Sequence, residues 1–189
     1  MRNKTKTMVG VGVFTAIVVV LQLLGGGIKV GSLFSITLVL LPIVVGSAVY
    51  NWKAGAWLGF IFGVAVLFSG DAAPFMAISI PATIAVVLAK GTFCGLVAGL
   101  VYKLLEKVHS MVAVIAAAVV CPIVNTGIFL LGCWLFFLPD IQKWAIDLGY
   151  ADVGSYVIYG LVGINFLVEL CTNIVLSPVI VRLIRIGKK

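Results

Sequence analysis

Residues 76–104 read MAISIPATIAVVLAKGTFCGLVAGLVYKL. Apart from Lys90 and the closing Lys103 the run carries no charge, and it is long enough to cross a hydrocarbon core of about 30 Å. Lys90 stands in its middle, where a charge costs roughly 2.5–3.5 kcal/mol on insertion scales. A chain keeps such a residue when it faces the interior of a helix bundle and meets a partner, a ligand or a water-filled space. Ser79, Thr83 and Lys90 fall on one face of a helix. Gly91, Gly95 and Gly99 recur at four-residue spacing, which lets another helix approach closely within a membrane. The stretch therefore reads as a transmembrane helix with a polar stripe turned inward.

The rest of the chain agrees. It has 189 residues, of which 63% are hydrophobic and 10% charged, and its mean hydropathy is +1.28. A soluble domain of that size has too little interior to hide so much apolar surface. The expected fold is an all-α integral membrane protein, a six-transmembrane-helix bundle forming a single domain over residues 1–189. Its spans are expected at about 7–25, 34–50, 54–69, 76–104, 110–138 and 156–183. The second and third are short, and the fourth and fifth are long enough to tilt or to kink at Pro81 and Pro122. The basic start followed by an apolar run resembles a signal peptide, but without a small-x-small cleavage site it is expected to be an uncleaved first span.

The formal net charge of +7 raises the question of nucleic acid, and the placement of the charges answers it. Arg2, Lys4, Lys6, Lys53, Lys103, Lys107, Arg182, Arg185, Lys188 and Lys189 lie at the termini and the even-numbered turns, against Glu106 alone. The other loops hold Lys29 and Lys143 with Asp71, Asp140, Asp147 and Asp152. The positive-inside rule then puts both N and C termini in the cytoplasm, with no nucleic acid needed to explain the basic excess. The outer connections are the elaborate ones. They include Gly25-Gly26-Gly27 with Lys29, the segment from Ser69 to Pro74, and residues 139–155. In the last, Ile141, Trp144, Ala145 and Leu148 recur opposite Asp140, Lys143 and Asp147, the pattern of a short amphipathic helix on the outer surface. Long loops carry function disproportionately, so the binding end is expected to face outward.

Polar residues recur at matching depth in three spans. Span six has Asn165, Glu169 and Asn173 on one face, and span five has Asn125 with Phe129 and Phe136 on its side. With Lys90, Thr83 and Ser79 these make a cation, an anion, amides and aromatic walls, the usual composition of a small-molecule site. A structural ion pair between Lys90 and Glu169, or hydrogen bonds that merely join helices, would use the same residues. Lys29 and Asp71 are the charged outer-loop residues expected to contact a solute. Trp134 falls on the face opposite Asn125, near the outer end, and reads as an interfacial anchor. Gly55, Gly59 and Gly63 on span three match the glycine spacing of span four, and Gly12-x-x-x-Ala16 on span one is similar.

Enzyme chemistry finds no inventory. There is no phosphate-binding loop for ATP, no His-Glu-x-x-His, and the one histidine, His109, falls at a segment end away from any ligand set. Cys94, Cys121, Cys133 and Cys171 lie in apolar runs without Cys-x-x-Cys spacing and read as packing residues. No metal and no cofactor are expected.

The whole chain resembles the substrate-binding S component of an energy-coupling factor (ECF) vitamin transporter in its length, its six spans and its elaborated outer loops. The segment from Gly46 to Gly59 resembles the family's usual link between spans two and three, with Asn51-Trp52 in place of Gly-Pro. Gly12-x-x-x-Ala16 is similar to the family's docking motif on span one, with Gly for the first Ala. The resemblance implies a multi-pass protein of the bacterial cell membrane that binds a water-soluble vitamin or related micronutrient from outside. It implies as partners a membrane-embedded coupling subunit and two cytoplasmic ATPases, with Gly12 and Ala16 at the docking face, and a toppling motion that delivers the solute. Substrates across that family include riboflavin, thiamine, biotin, folate and pantothenate, and no residue set here selects one. The alternatives are a self-sufficient secondary transporter coupled to protons through Glu169 or Lys90, and a non-transporting membrane scaffold.

Overall fold

The computed structural model describes residues 2–25 and 38–187. In chain order the helices are α1 (Arg2–Gly25), α2 (Leu40–Val49), α3 (Trp52–Ser69), the one-turn α4 (Ala73–Met76), α5 (Ile80–Leu105) and α6 (Ser110–Gly132). A π-helical turn (Cys133–Phe137) joins α6 to α7 (Leu138–Asp147). After the short α8 (Val153–Ser155) a second π-turn (Tyr156–Val162) leads into α9 (Gly163–Val175), and α10 (Ser177–Gly187) follows. No strand occurs among the described residues.

Four helical stretches are long and apolar enough to cross a membrane: Lys4–Gly25, Trp52–Ser69, Ile80–Leu105 and Ser110–Asp147. A fifth results if Val153–Val162 and Asn165–Val175, which meet at a 47° bend, count as one. The expected second span is represented by α2, whose 10 residues rise only about 15 Å; its expected start at residue 34 lies outside the described residues. This is a multi-pass membrane protein.

Helix ends follow local chemistry. Asn51 caps α3, its side-chain oxygen accepting from the Ala54 N–H at 2.9 Å. Asn51 thus supplies by a side chain what the turn needs to start a helix. Gly70 ends α3 at φ 89°, a left-handed conformation that glycine adopts at little cost. Pro81, expected as a kink, stands instead in the first turn of α5, where its missing N–H is no loss. Ser79 is the residue before that helix, and its carbonyl accepts from the Thr83 N–H and hydroxyl. Pro122 does lie inside α6.

Helices α3 and α5 form the centre of the bundle, and α6 packs on the other side of α5. In lipid, packing between helices does the work that hydrophobic burial does in water. Here the glycines let it happen backbone to backbone. A methyl placed on Gly59 would collide with the Gly91 carbonyl, and one on Gly95 with the Gly55 carbonyl. A methyl on Gly63 would lie 2.8 Å from the Val87 carbonyl oxygen. α1 attaches to this pair through Phe14 edge-on to Tyr50 and through the Trp57 indole N–H, which donates to Thr15 at 3.2 Å. α10 closes the opposite side with Ile180, Val181 and Ile184 buried.

The amphipathic segment after span five is helical, but it continues span five's helix through the π-turn, and its apolar face caps the protein's own aromatic end. Ile141 and Ala145 are buried with Phe75, Phe137 and Tyr156. Trp144 meets Phe75 edge-on at 5.5 Å. Leu148 falls beyond the last turn and is exposed.

Candidate functional site

Between the α3–α5–α6 core and this aromatic end lies a cavity of about 140 Å³. Thr83 and Lys90 reach it from α5, Asn125 and Phe129 from α6, and Asn165 and Glu169 from α9; Asp71 joins from the turn after α3. Seven residues singled out in three spans and a loop thus surround one space. Ser79 does not line it, because it precedes α5 and its carbonyl is engaged in the first helical turn. Lys29 lies outside the described residues. Asn173, one turn beyond Glu169, is buried away from the cavity, and its carbonyl accepts from Ser177 at 2.8 Å.

The Lys90 ammonium sits 5.1 Å from the centre of the Phe129 ring and 5.9 Å from that of Phe62. Ring faces carry partial negative charge, and away from water that attraction is worth about 2 kcal/mol. The aromatic wall is itself interlocked: Phe75 meets Phe129 edge-on at 5.4 Å and Phe137 at 5.1 Å. Glu169 is buried, with the Asn165 amide 3.5 Å from its Oε1.

Two contributors escape a reading of spacing alone. Gln22 of α1 is fully buried; its amide donates to Asp71 Oδ2 at 2.7 Å and Ser69 Oγ at 3.3 Å, and it lines the cavity. It is a solitary amide in an apolar run, so no stripe announces it; its burial within a membrane span is the only signal. The second is Phe137. In a straight α-helix, at about 100° per residue, Phe136 lands within about 20° of Asn125 and Phe137 about 120° away. The π-turn winds at about 80° per residue and over its 5 residues gives back roughly 90°. Phe137 therefore faces the cavity, 1% exposed, and Phe136 turns outward, 53% exposed. Trp134 is exposed as well, as an interfacial anchor would be.

The second π-turn works in the same wall. Leu161 and Val162 at its end and Asn165 and Phe166 just after it all face the cavity, so the 47° bend falls beside the space. A methyl on Gly163 would strike the Ile158 carbonyl, which is why glycine stands at the hand-over to α9.

A cavity of this kind binds; it contains no nucleophile paired with a base. The Cys121 and Cys133 thiols are buried, and no cluster of three potential metal ligands occurs among the described residues. No curated protein and no solved structure matches the chain. A family profile does match: "ECF transporter, substrate-specific component" aligns with residues 6–181, nearly the whole length. The chain belongs to that family and is the substrate-specific subunit of a membrane transporter, a binding protein that performs no catalysis.

Proposed function

We propose that this chain is the high-affinity solute-binding subunit of an ECF-type ABC importer for a water-soluble vitamin or related micronutrient, with Lys90, Asn125, Asn165, Glu169, Thr83, Phe129 and Asp71 around the bound solute. The observation that carries this reading is a set of buried polar groups on α1, α5, α6 and α9 that share one cavity inside an otherwise apolar bundle. Polar groups in a membrane interior are expensive and are kept where they meet something polar.

The distribution of basic residues supports six spans with both termini in the cytoplasm of a bacterial cell. Partners are a membrane coupling subunit and two cytoplasmic ATPases. Gly12 and Ala16 lie exposed on α1, with Val9, Val13 and Ile17 exposed near them, and a methyl on Gly12 would meet nothing within 4 Å. That is a smooth face against which another membrane helix can lie closely.

The test has two parts. Mass spectrometry of the full chain, purified from cells grown in micronutrient-rich medium, should detect a retained small molecule, and Glu169→Gln should leave a folded protein that has lost it. Co-expression with a coupling subunit and its ATPases should yield a complex that Ala16→Leu abolishes without touching solute binding. Transport by the chain alone in liposomes, driven by a pH gradient, would overturn this reading in favour of a secondary transporter.

A further inference from the structure

The polar groups around the cavity are not evenly divided between donors and acceptors. Gln22 spends its amide N–H groups on Asp71 and Ser69. That fixes which way the amide points and leaves Oε1 buried, with no hydrogen-bond partner among the described residues. Asn165 repeats the arrangement: its amide nitrogen faces Glu169 Oε1, and its Oδ1 is buried without a hydrogen bond among the described residues. Asn125, 7% exposed, has its Oδ1 in the same condition. Two carboxylates thus hold two amides by their donor ends, and three carbonyl oxygens are left around one space. Buried acceptors of this kind are rarely left unserved.

The size of the space narrows the solute further. An apolar cavity of about 150 Å³ holds one benzene molecule, and this one measures about 140 Å³. Its walls include Phe62, Phe75, Phe129 and Phe137, against which a planar ring packs face or edge. Opposing any anionic solute are the Asp71 and Glu169 carboxylates and the three carbonyl oxygens; Lys90 alone would receive it, from a position over two rings.

Building on the reading of this cavity as the solute site, we infer that the solute is a single-ring nitrogen heterocycle presenting several N–H donors, received by the carbonyl oxygens of Gln22, Asn125 and Asn165. Gln22 is then a specificity-determining residue, oriented by Asp71 for that purpose.

Three one-ring probes test the assignment on the full chain in detergent, by calorimetry and thermal shift. They are 2,4-diaminopyrimidine, which donates; 2,4-dimethoxypyrimidine, the same ring with every donor capped; and pyridine-3-carboxylate, an anion. The diamine should bind at least about tenfold more tightly than either of the others, one hydrogen bond to a buried acceptor being worth about that factor. Gln22→Leu should erase most of the preference. Because the comparison among probes is made on the unaltered chain, it holds even where that variant fails to fold. Equal or tighter binding of the dimethoxy compound or of the carboxylate, or no binding of the diamine, overturns the donor assignment. If a solute retained from the growth medium is then found by mass spectrometry, the cavity stands as the solute site and only the chemical class is wrong. If nothing is retained from micronutrient-rich medium and no probe binds, the three oxygens serve water, and the reading of the cavity itself falls.

Discussion

Replacing Gly59 by alanine tests whether the α3–α5 contact organises the bundle. The added methyl would overlap the Gly91 carbonyl, and even the milder case, Gly63, brings a Cβ to 2.8 Å where ordinary contact begins at 3.4 Å. Relief at Gly59 therefore needs the two helices to part by more than half an ångström. Overpacking of this sort costs about 1–3 kcal/mol, and alanine's lower backbone entropy in the unfolded chain returns about 0.4–1 kcal/mol. The net loss, roughly 1–2 kcal/mol, corresponds to a fall in Tm of about 2–8 °C for a chain of this length. Gly12→Ala is the matched control. Nothing lies within 4 Å of its methyl, so only the entropic gain applies and Tm should hold or rise slightly. Lys90 adjoins Gly91, so Gly59→Ala should also weaken solute retention, and Gly12→Ala should not. Thermal unfolding of the detergent-solubilised chain, followed by tryptophan fluorescence, reads both. A Gly59→Ala protein as stable as the parent, or a Gly12→Ala protein destabilised as much, would refute the backbone-to-backbone contact.

Four further outcomes follow from the structure. Asn51→Ala should lower stability by about 0.5–2 kcal/mol through loss of the α3 cap, whereas Asn51→Gly should cost only a few tenths; denaturation of the pair decides it. Phe129→Ala removes the nearer ring beneath Lys90 and should weaken solute affinity by about tenfold, or about 1.4 kcal/mol, measured by calorimetry. Asp152 accepts from the Ser155 hydroxyl and N–H, and these bonds hold its carboxyl below the usual value of 3.8. Because its folded-state value is depressed, the cap on α8 is present above that range and is lost as pH falls through the lowered value; an NMR titration of the Asp152 carboxyl should show the depression, and Ser155→Ala should reduce it. Ser155→Cys, in a chain whose exposed Cys171 is replaced, should react with a membrane-impermeant thiol reagent from outside the cell and not from the cytoplasmic side.

What the sequence disclosed depended on whether a signal was periodic. Lys90, Asn125, Asn165 and Glu169 stand out because each is polar in an apolar run, and helical periodicity places them on inward faces that the folded chain brings to one cavity. The glycine triplets of α3 and α5 likewise find each other because both repeat every four residues. Gln22 has no such companions: its partner Asp71 is 49 residues away, and only the folded chain joins them. Phe136 was the wrong phenylalanine because the count assumed a uniform helix, and nothing in the composition of Cys133–Phe137 marks a wider turn. Pro81 looked like a kink while its helix was assumed to begin before it, and became a helix starter once Ser79 proved to be the boundary.

The π-turn at Cys133–Phe137 makes the cavity sensitive to a kind of variation that substitution does not sample. Removing one residue there, Leu135 for instance, would leave every remaining side chain's chemistry unchanged and let the segment relax to an α-helix. Everything beyond it, Ile141, Trp144 and Ala145 included, would rotate by about 100° relative to α6, so the face of α7 that now covers the cavity's aromatic end would point elsewhere. The roof of the site is thus set by segment length, and a single inserted or deleted codon can re-aim it in one evolutionary step.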